Sequence, residues 1–422
     1  MLLEFRVRNY YSIRDEIVLS FVASKDTNLA DTHIVSTGIK GLANVVRSAV
    51  VYGPNASGKS TLLKALAFMR AVVADSATIM QPGQTFRMQP FRLDTDYEEQ
   101  PAEFEISFIL SGIRHQYGFS LSAERVVDEW LLVYRRAKPQ QWFRRRFDEK
   151  TENSAYEFST HLTGPRKLWQ ETTRPNALFL STAAQLNSEL LGPVFRWLTE
   201  QPIYFGAGLT PSPDFTTELL QTEVGKRAVQ AFLAGADISI SHVVSVPRKG
   251  LQEKFVFSPE GPKVTREERE MLMPQFIHET ERGSANFELH EESQGTQRLY
   301  NLAAPVLDVL RHGRLLIVDE LDSSLHPLLV RQLVRMFHLS ELNPLGAQLL
   351  FTTHDTSLLD RTLFRRDQIW FTEKDCEQAT RLYPLTDFSP RETEAWERGY
   401  LIGRYGAIPF FNDLTLPVQV VA

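Results

Sequence analysis

The sequence contains a single cysteine, Cys376, so it can form neither an internal disulfide nor a cysteine cluster for structural zinc. It has no apolar run approaching the roughly 20 residues that a membrane-spanning helix needs. Residues 1–12 interleave charged with apolar side chains and lack the uninterrupted apolar core of a signal peptide. These absences predict a cytoplasmic protein without a membrane segment.

An excess of basic residues is also absent. The chain of 422 residues has 46 Lys and Arg against 52 Asp and Glu, a formal net charge of −6. This balance excludes a polycationic nucleic-acid coat, so any contact with nucleic acid would need a local patch. Glycine and proline, 22 of each, are too few for a collagenous or linker-rich chain. The length predicts roughly two or three domains.

A phosphate-binding loop is the strongest motif in the sequence. Residues 48–52 form an apolar, β-branched run typical of a buried parallel strand, and residues 59–73 have helical apolar spacing. The segment between them matches G-x-x-x-x-G-K-[ST] in the strand–loop–helix context that this motif requires. The pattern predicts that Lys59 binds the β- and γ-phosphates of a nucleotide and that Ser60 binds Mg²⁺. The predicted nucleotide-binding residues are Gly53, Pro54, Asn55, Ala56, Ser57, Gly58, Lys59, Ser60 and Thr61.

Two further apolar strands end in polar residues. Residues 314–318 are followed by Asp319 and Glu320, an acidic pair of the Walker B type. Beside a phosphate loop, this pattern predicts Asp319 as a Mg²⁺ ligand and Glu320 as the general base, whereas alone it would also fit a solvated acidic pair. His354 ends the other strand and is predicted to hydrogen-bond the γ-phosphate, the alternative being an exposed loop histidine.

A second candidate anion site lies at residues 292–298, with the sequence ESQGTQR. A serine and a glycine open a predicted helix there, and the free N–H groups of a helix N-terminus bind anions. In isolation the same residues would indicate an ordinary helix cap. The candidate residues are Ser293, Gln294, Gly295 and Thr296.

Together these motifs resemble the ABC-type ATPase heads of the SMC and RecF group. They resemble more closely the bacterial AAA-type ATP-binding proteins of OLD-like and abortive-infection or phage-defence systems. The resemblance covers nearly the whole chain. It is carried by residues 5–12, the phosphate loop, Pro90-Phe91, ESQGTQRL at 292–299, VDELDSSLHP at 318–327, TTHD at 352–355 and two tail segments at 365–375 and 403–409.

The resemblance implies a homodimer that closes head to tail on two ATP molecules with Mg²⁺. In such a dimer, residues 293–296 look like the signature motif that contacts nucleotide on the other subunit, and Asp322 looks like the D-loop residue. Gln89 is a candidate Q-loop glutamine and Mg²⁺ ligand, although a plain surface glutamine fits equally well. The signature reads ESQGTQ and not the LSGGQ of transporters, which argues against a transporter ATPase.

The predicted fold is α/β, a P-loop NTPase with an ABC/SMC-like head. It would have a parallel-rich central sheet, an antiparallel side sheet and an inserted helical lobe. Lys59 and Asp319 are 260 positions apart, so the first and last thirds of the chain must fold together around one nucleotide. The predicted parts are a discontinuous P-loop ATPase core at 1–75 and 285–422, an antiparallel β side subdomain at 76–160, and an inserted, mainly helical lobe at 161–284.

One local segment is positively charged. Residues 134–147 contain six basic residues, four aromatic residues and no acidic ones. This composition is compatible with binding DNA or RNA, because the cations could contact phosphates and the aromatics could stack on bases. A pair of strands with solvated arginines also explains this composition, and this interpretation is favoured. The candidate nucleic-acid residues are Arg135, Arg136, Lys138, Arg144, Arg145 and Arg146.

Two functions of different classes fit these motifs. The chain could be the ATPase sensor or regulator of an anti-phage defence system that acts with a separately encoded effector, a nuclease or toxin. Alternatively, it could be a RecF/SMC-like DNA repair or clamp ATPase in which ATP closure grips DNA. About 50 residues follow the last predicted ATPase strand, too few for the nuclease domain of OLD proteins. Glu373, Asp375 and Asp387 are irregularly spaced, so no intrinsic nuclease is expected.

Overall fold

The computed structural model describes residues 1–136, 138–206, 211–235, 240–258, 261–391 and 394–409. Strands make up most of the regular structure in these ranges. They are β1 Leu2–Arg8, β2 Ile17–Ser20, β3 Ile34–Val35, β4 Val45–Val46, β5 Ser48–Tyr52, β6 Ala102–Leu110, β7 Ile113–Leu121, β8 Val126–Tyr134, β9 Gln140–Asp148, β10 Asn153–Phe158, β11 Pro202–Phe205, β12 His242–Ser258, β13 Gly261–Thr280, β14 Gly283–Glu288, β15 Leu315–Val318, β16 Gln348–Thr352, β17 Ile369–Lys374 and β18 Thr380–Pro384.

The α-helices are short apart from two, which begin at the phosphate loop and at the candidate signature. They are α1 Ala30–His33, α2 Lys59–Asp75, α3 Thr95–Glu98, α4 Arg166–Thr172, α5 Phe179–Gln185, α6 Leu191–Glu200, α7 Pro213–Leu219, α8 Glu223–Ala234, α9 Gln294–His312, α10 Pro327–His338 and α11 Trp396–Leu401. Within the described ranges, none of the helices has both the length and the apolar character that crossing a bilayer would demand.

Six strands form the central sheet that carries the phosphate loop. Their order is β11-β15-β16-β5-β17-β18, and all neighbours are parallel except β17 and β18. Every residue of β5, β15 and β16 is buried, as the continuous apolar runs of a sheet covered on both faces require. β16 alone separates β5 from β15, so the first and last thirds of the chain share one sheet. The predicted parallel-rich central sheet is confirmed.

Two apolar clusters cover the two faces of this sheet. Ala49 and Val51 of β5 belong to the cluster that includes the buried face of α2. Val50 and Tyr52 belong to the other cluster, which includes the buried residues of α9 and α10. Successive side chains of a strand point to opposite faces, so the one strand contributes to both clusters. The loop that follows Tyr52 is therefore held between two packed layers.

An antiparallel sheet of seven strands lies beside the central sheet, in the order β10-β9-β8-β7-β6-β1-β2. In β1, Leu3, Phe5 and Val7 are buried and alternate with half-buried charged residues, as the sequence pattern predicts. The region predicted as an antiparallel side subdomain, residues 76–160, contains strands β6 to β10, but these strands do not form a sheet of their own. Phe5 pairs with Ile106 of β6, so the N-terminal strands extend this side sheet rather than the core.

The region predicted as a mainly helical lobe, residues 161–284, is helical only in its first part. Helices α4 to α8 lie between residues 166 and 234. From His242 the chain forms β12 and β13, an antiparallel pair of 17 and 20 residues, and β14 extends it. The helical prediction is therefore wrong for residues 242–284. Glu, Arg and Met there favour a helix by intrinsic propensity, but pairing between strands overrides so weak a preference.

Candidate nucleotide-binding site

The phosphate loop runs from Gly53 to Gly58, between β5 and α2, and sterics require glycine at both ends. A Cβ on Gly53 would lie 2.4 Å from the carbonyl oxygen of Thr372. A Cβ on Gly58 would lie 2.3 Å from Oγ1 of Thr380, and Gly58 has a φ of +110° in the left-handed region. β17 and β18 thus pack directly against the loop, and only glycine allows so close an approach.

Hydroxyl groups from distant parts of the chain brace this loop. Ser57 Oγ and Thr372 Oγ1 are 2.7 Å apart, and Thr380 Oγ1 donates to the Ser57 carbonyl at 3.0 Å. Ser12 Oγ lies 2.9 Å from Thr380 Oγ1 and donates to Thr61 Oγ1 at 3.4 Å. This accounts for Ser12 in the N-terminal motif. Thr372 and Thr380 were missed from the sequence, because a threonine in a strand has no distinguishing signal.

Lys59 is buried at the start of α2, with 6% of its surface exposed. Its Nζ donates to the carbonyl oxygens of Gly53 at 2.7 Å and Pro54 at 3.0 Å. Burial lowers the pKa of Lys59 to about 8, and the carboxylates of Asp319 and Glu320 oppose that shift. The predicted phosphate-binding cation and the predicted acidic pair therefore lie close enough to interact electrostatically.

This pKa predicts a pH-dependent affinity for ATP. Only the charged form of Lys59 can attract phosphates, and with a pKa of about 8 the charged fraction is small at pH 9. The dissociation constant for ATP should rise roughly tenfold from pH 7 to pH 9, because affinity scales with the competent fraction. Titration with a fluorescent ATP analogue at pH 7, 8 and 9 measures this change in the dissociation constant.

Lys59→Arg is the matched control for that titration, because a guanidinium stays protonated at pH 9. The affinity of this variant for ATP should not change between pH 7 and pH 9, whereas an unchanged affinity in the unmodified protein would contradict the prediction.

The contribution of Lys59 to the stability of the folded protein changes with pH in the opposite direction to its contribution to ATP binding. Its folded pKa lies below the ordinary 10.5, so its contribution to stability is constant below pH 8 and becomes more favourable from pH 8 to pH 10.5.

Asp319 follows β15 and has one carboxylate oxygen without a partner. The residue is 1% exposed, and Oδ1 accepts a hydrogen bond from Thr352 Oγ1 at 2.6 Å. Oδ2 is buried and has no hydrogen-bond partner. A buried carboxylate oxygen left unpaired is costly, so this atom is suited to a cation. The residues present fit Mg²⁺, which typically takes one or two protein oxygens, and Asp319 and Ser60 would be the ones to hold it.

Glu320 is held through its backbone, with its side chain half-buried. It has a φ of +53°, a strained conformation for a residue other than glycine. Its N–H donates to Thr352 Oγ1 at 2.7 Å, and its carbonyl accepts from Arg298 Nη2 at 2.8 Å. One threonine hydroxyl therefore orients both Asp319 and Glu320. Thr352 and Arg298 lie within motifs of the sequence, at 352–355 and 292–298, but neither was predicted to have this role.

His354 and Asp322 lie together after neighbouring strands. The backbone N–H of His354 donates to Asp322 Oδ2 at 3.2 Å, and Asp322 Oδ1 is buried without a partner. The His354 side chain is exposed and lines the same cleft as Gly53 and Asn55 of the phosphate loop. The structure thus brings the predicted γ-phosphate ligand to the phosphate loop, and the predicted D-loop residue holds the segment that carries it.

The candidate signature residues form the first turn of α9. Ser293 caps the helix, its Oγ accepting from the Thr296 N–H at 3.1 Å. A Cβ on Gly295 would lie 3.0 Å from the carbonyl oxygen of Ser324, so this turn packs against the loop after β15. Ser293 and Gln294 are exposed. The helix N-terminus is therefore accessible to a ligand or a partner, and Arg298 on the same helix connects it to Glu320.

Gln89 lies in a segment that packs on the N-terminal strands. Its carbonyl accepts from the Tyr11 N–H at 2.8 Å, and its side chain is exposed. The Phe91 N–H donates to Asn9 Oδ1 at 2.8 Å, and both of these residues are buried. The two sequence motifs therefore meet beside Ser12 and the phosphate loop. A Mg²⁺ role for Gln89 stays a prediction.

The basic segment does not form one continuous surface. Arg145 is 1% exposed, and its guanidinium donates to the carbonyls of Ala177 at 2.6 Å and Arg174 at 3.1 Å. Arg144 makes a bidentate pair with Asp128, at 3.1 and 2.6 Å. The prediction of a nucleic-acid contact is therefore wrong for Arg145, because alternation along β9 turns it into the core.

The exposed cations of this segment fall into two places. Arg135, Arg136 and Lys138 lie at the turn between β8 and β9. Arg146 is also exposed, but it lies six residues beyond the start of β9, about 20 Å away at roughly 3.3 Å per residue. A polyanion could therefore contact the turn alone, and whether it does stays a prediction.

Neighbouring arginines on β9 should differ sharply in their effect on stability. Arg145→Ala should lower the free energy of unfolding by about 3 kcal/mol, because it leaves buried carbonyls and the buried Glu129 carboxylate uncompensated. Arg146→Ala, the surface control, should change it by no more than about 0.5 kcal/mol. Urea unfolding of both variants provides the comparison. Equal losses would contradict the structural role of Arg145.

Comparison with known proteins gives the family. Residues 48–193 and 204–360 match the family model described as "AAA domain, putative AbiEii toxin, Type IV TA system". No curated protein matches the sequence. Among solved structures, one described as "Crystal structure of the SmcHead bound to the C-winged helix domain of ScpA" is similar at 13% identity and a TM-score of 0.36, covering 91% of this chain and 97% of that chain. The family match includes the phosphate loop, Asp319–Glu320 and His354 and spans well over half of the chain. The protein therefore belongs to this AAA domain family.

Proposed function

We propose that the protein binds and hydrolyses ATP with Mg²⁺ at the site built on the phosphate loop. The observation that supports this most is the buried Asp319 Oδ2, which lacks a partner beside a loop carrying Lys59 and Ser60. A cation there would compensate the carboxylate and draw charge from the phosphates. Phosphate release from ATP in the presence of Mg²⁺, abolished when the cation is chelated, tests the proposal.

Some residues of the site bind the phosphates, and Glu320 accepts the proton during hydrolysis. Backbone N–H groups of the loop and the N-terminus of α2 attract the phosphates, and Lys59 neutralises their β- and γ-oxygens. Glu320 accepts a proton from water as the water oxygen bonds to the γ-phosphorus. The bond from that phosphorus to the β–γ bridging oxygen breaks, giving ADP and phosphate. His354 hydrogen-bonds the γ-phosphate, which is present in ATP and absent from ADP.

The active form is proposed to be a homodimer that closes head to tail on two ATP molecules. The exposed Ser293 and Gln294 at the N-terminus of α9 support this, because they would supply N–H groups to nucleotide on a second subunit. Within one chain, Arg298 ties that helix to the carbonyl of Glu320. Closure by the partner would therefore be transmitted to the predicted base. ATP would hold the dimer closed and hydrolysis would open it.

The biological role that fits best is an ATPase sensor or regulator in a bacterial anti-phage defence system. The family's description, which names an AbiEii toxin and a type IV toxin–antitoxin system, supports a link to such systems, and the division between regulator and effector is part of the proposal. The toxic or nuclease activity is assigned to a separately encoded effector that responds to the closed or open dimer. Affinity purification of the Glu320→Gln form from its native host tests the role. Recovery of one stoichiometric nuclease or toxin is expected, and its absence would count against the role.

A DNA clamp or repair ATPase is the second candidate, supported by the three exposed cations at the β8–β9 turn. If ATP closure grips DNA, reversing Arg135, Arg136 and Lys138 to glutamate should abolish ATP-dependent DNA binding and leave ATP turnover intact. Phosphate contacts of this kind weaken steeply with salt, so binding should be measured at two salt concentrations. DNA binding that is unchanged in the triple variant would eliminate this candidate.

A further inference from the structure

Tyr52 is the last residue of β5 and immediately precedes Gly53 of the phosphate loop. It is 1% exposed, and its hydroxyl donates to the backbone carbonyl of Asp355 at 3.2 Å. Asp355 directly follows His354. One buried side chain therefore connects the start of the phosphate loop to the segment that carries the predicted γ-phosphate ligand.

The Tyr52 ring also contacts the C-terminal cap, defined here as residues 394–409. Its centroid lies 5.8 Å from that of Tyr400 in α11 and 6.3 Å from that of Phe371 in β17. The Tyr400 hydroxyl donates to the Ala407 carbonyl at 2.8 Å in a buried hydrogen bond. The position of the tyrosine thus depends on the cap as well as on the central sheet.

The cap is closely packed on the central sheet. The Ala407 N–H donates to Glu373 Oε2 at 3.1 Å, and the Tyr383 hydroxyl donates to the Tyr405 carbonyl at 3.0 Å. Gly406 has a φ of +66°, and a Cβ there would lie 2.6 Å from the Tyr383 hydroxyl. Glycine is thus required at this point of the tail motif at residues 403–409. Glu373, one of the three irregularly spaced acidic residues of the sequence, anchors the cap through its hydrogen bond from the Ala407 N–H.

The cap and the phosphate loop border the same cleft, whose volume is ≈ 970 Å³. On one side it is lined by Gly53, Pro54 and Asn55, and on another by His354. Residues of the cap complete it, among them Tyr400, Leu401, Ile408 and Pro409. A second contact joins cap and cleft, because Thr356 Oγ1 donates to Glu397 Oε1 at 3.1 Å.

We propose that Tyr52 is a positioning residue for ATP hydrolysis, which fixes His354 relative to the phosphate loop, and that the C-terminal cap holds Tyr52 in place. This inference rests on the proposed ATPase function. Tyr52 acts through its hydroxyl on the Asp355 backbone and need not touch the nucleotide. Binding of the phosphates depends on the loop itself, so loss of the Tyr52 hydroxyl affects the chemical step more than affinity.

Tyr52→Phe removes the hydroxyl and keeps the ring that packs on Tyr400. The expected result is a kcat about tenfold lower with a KM for ATP within about twofold of the unmodified protein. Tyr117→Phe is the matched control, since Tyr117 is fully buried in β7 and its hydroxyl donates to Glu129 at 3.0 Å. It should leave kcat unchanged. An unchanged kcat in Tyr52→Phe, or a rise in KM alone, would overturn the proposal.

Hydrogen exchange of the protein without nucleotide gives a second readout, independent of turnover. Amides of residues 353–358 should exchange faster in Tyr52→Phe and not in Tyr117→Phe. Unchanged exchange there overturns the positioning role. An unmodified protein that binds no ATP overturns the ATPase function instead, so the two failures are distinguishable.

Gly406→Ala tests the contribution of the cap. Its Cβ would clash with Tyr383 and Glu373, so residues 394–409 should exchange faster. The amides of residues 353–358 should then also exchange faster, and kcat should fall as in Tyr52→Phe. A cap that loosens while residues 353–358 and kcat stay unchanged would contradict its proposed action on Tyr52.

Discussion

Glu320→Gln is expected to lower steady-state ATP turnover by about 10²–10⁴-fold while ATP binding is retained, because an amide cannot accept the proton of the attacking water. The substitution is nearly isosteric. The backbone of Glu320 is held by Thr352 and Arg298 through its N–H and carbonyl, so the fold around it should be preserved. Phosphate release and nucleotide content of the purified variant measure the two effects.

Retention of ATP should also change the assembly of this variant. With ATP and Mg²⁺, Glu320→Gln should accumulate as a dimer by light scattering, whereas with ADP it should have the mass of one chain. Glu341→Gln is the control, since Glu341 is exposed after α10 and outside the cleft. It should turn over ATP normally. Normal turnover in Glu320→Gln would exclude this residue as the base.

Lys59→Ala should have the largest effect on nucleotide affinity. Loss of a charge-assisted interaction with the phosphates costs about 3 kcal/mol, which raises the dissociation constant for ATP by on the order of 10²-fold. The folded state should tolerate the change, because burial lowers the pKa of Lys59 and so already disfavours its charged form. Isothermal titration or a fluorescent ATP analogue measures the loss.

Lys64→Ala provides the comparison, because Lys64 lies on the same helix α2 with its side chain exposed. Its affinity for ATP should stay within about twofold of the unmodified protein, as expected for a surface substitution. Melting temperatures of both variants should be close to that of the parent. Equal ATP affinity for Lys59→Ala and the parent would place nucleotide, if bound, somewhere other than the phosphate loop.

The sequence was sufficient to predict the parts of this site that are local in the chain. A buried strand, a glycine-bounded loop and a helix follow one another at residues 48–75, and Asp319–Glu320 follows a continuous apolar strand. Such patterns depend on neighbours in sequence, so a single chain reveals them. The sequence also predicted that these two segments fold together, because both must contact one nucleotide.

The supports of the site could not be predicted, because they come from distant parts of the chain. Thr372 and Thr380 reach the phosphate loop only because β17 pairs with β5 and β18 pairs with β17. Thr352 orients Asp319 and Glu320 across the gap between two strands. A hydroxyl in a strand looks the same in sequence whether it supports a site or fills a core.

One candidate residue and one predicted segment were wrong for reasons of tertiary context. The side chains of β9 alternate, so Arg145 enters the core although Arg144 and Arg146 beside it face solvent or an acidic partner. Residues 242–284 contain many helix-favouring side chains, yet β12 and β13 pair along their whole length. Both outcomes depend on what lies across the sheet, which composition does not reveal.

Single-turnover cleavage of γ-labelled ATP by the unmodified protein, Glu320→Gln and Lys59→Ala tests the central claim most directly. The unmodified protein should bind ATP and release labelled phosphate in the presence of Mg²⁺. Glu320→Gln should hold the ATP uncleaved, and Lys59→Ala should neither hold nor cleave it. Cleavage by Glu320→Gln at the rate of the unmodified protein, or no cleavage by the unmodified protein, would contradict the account.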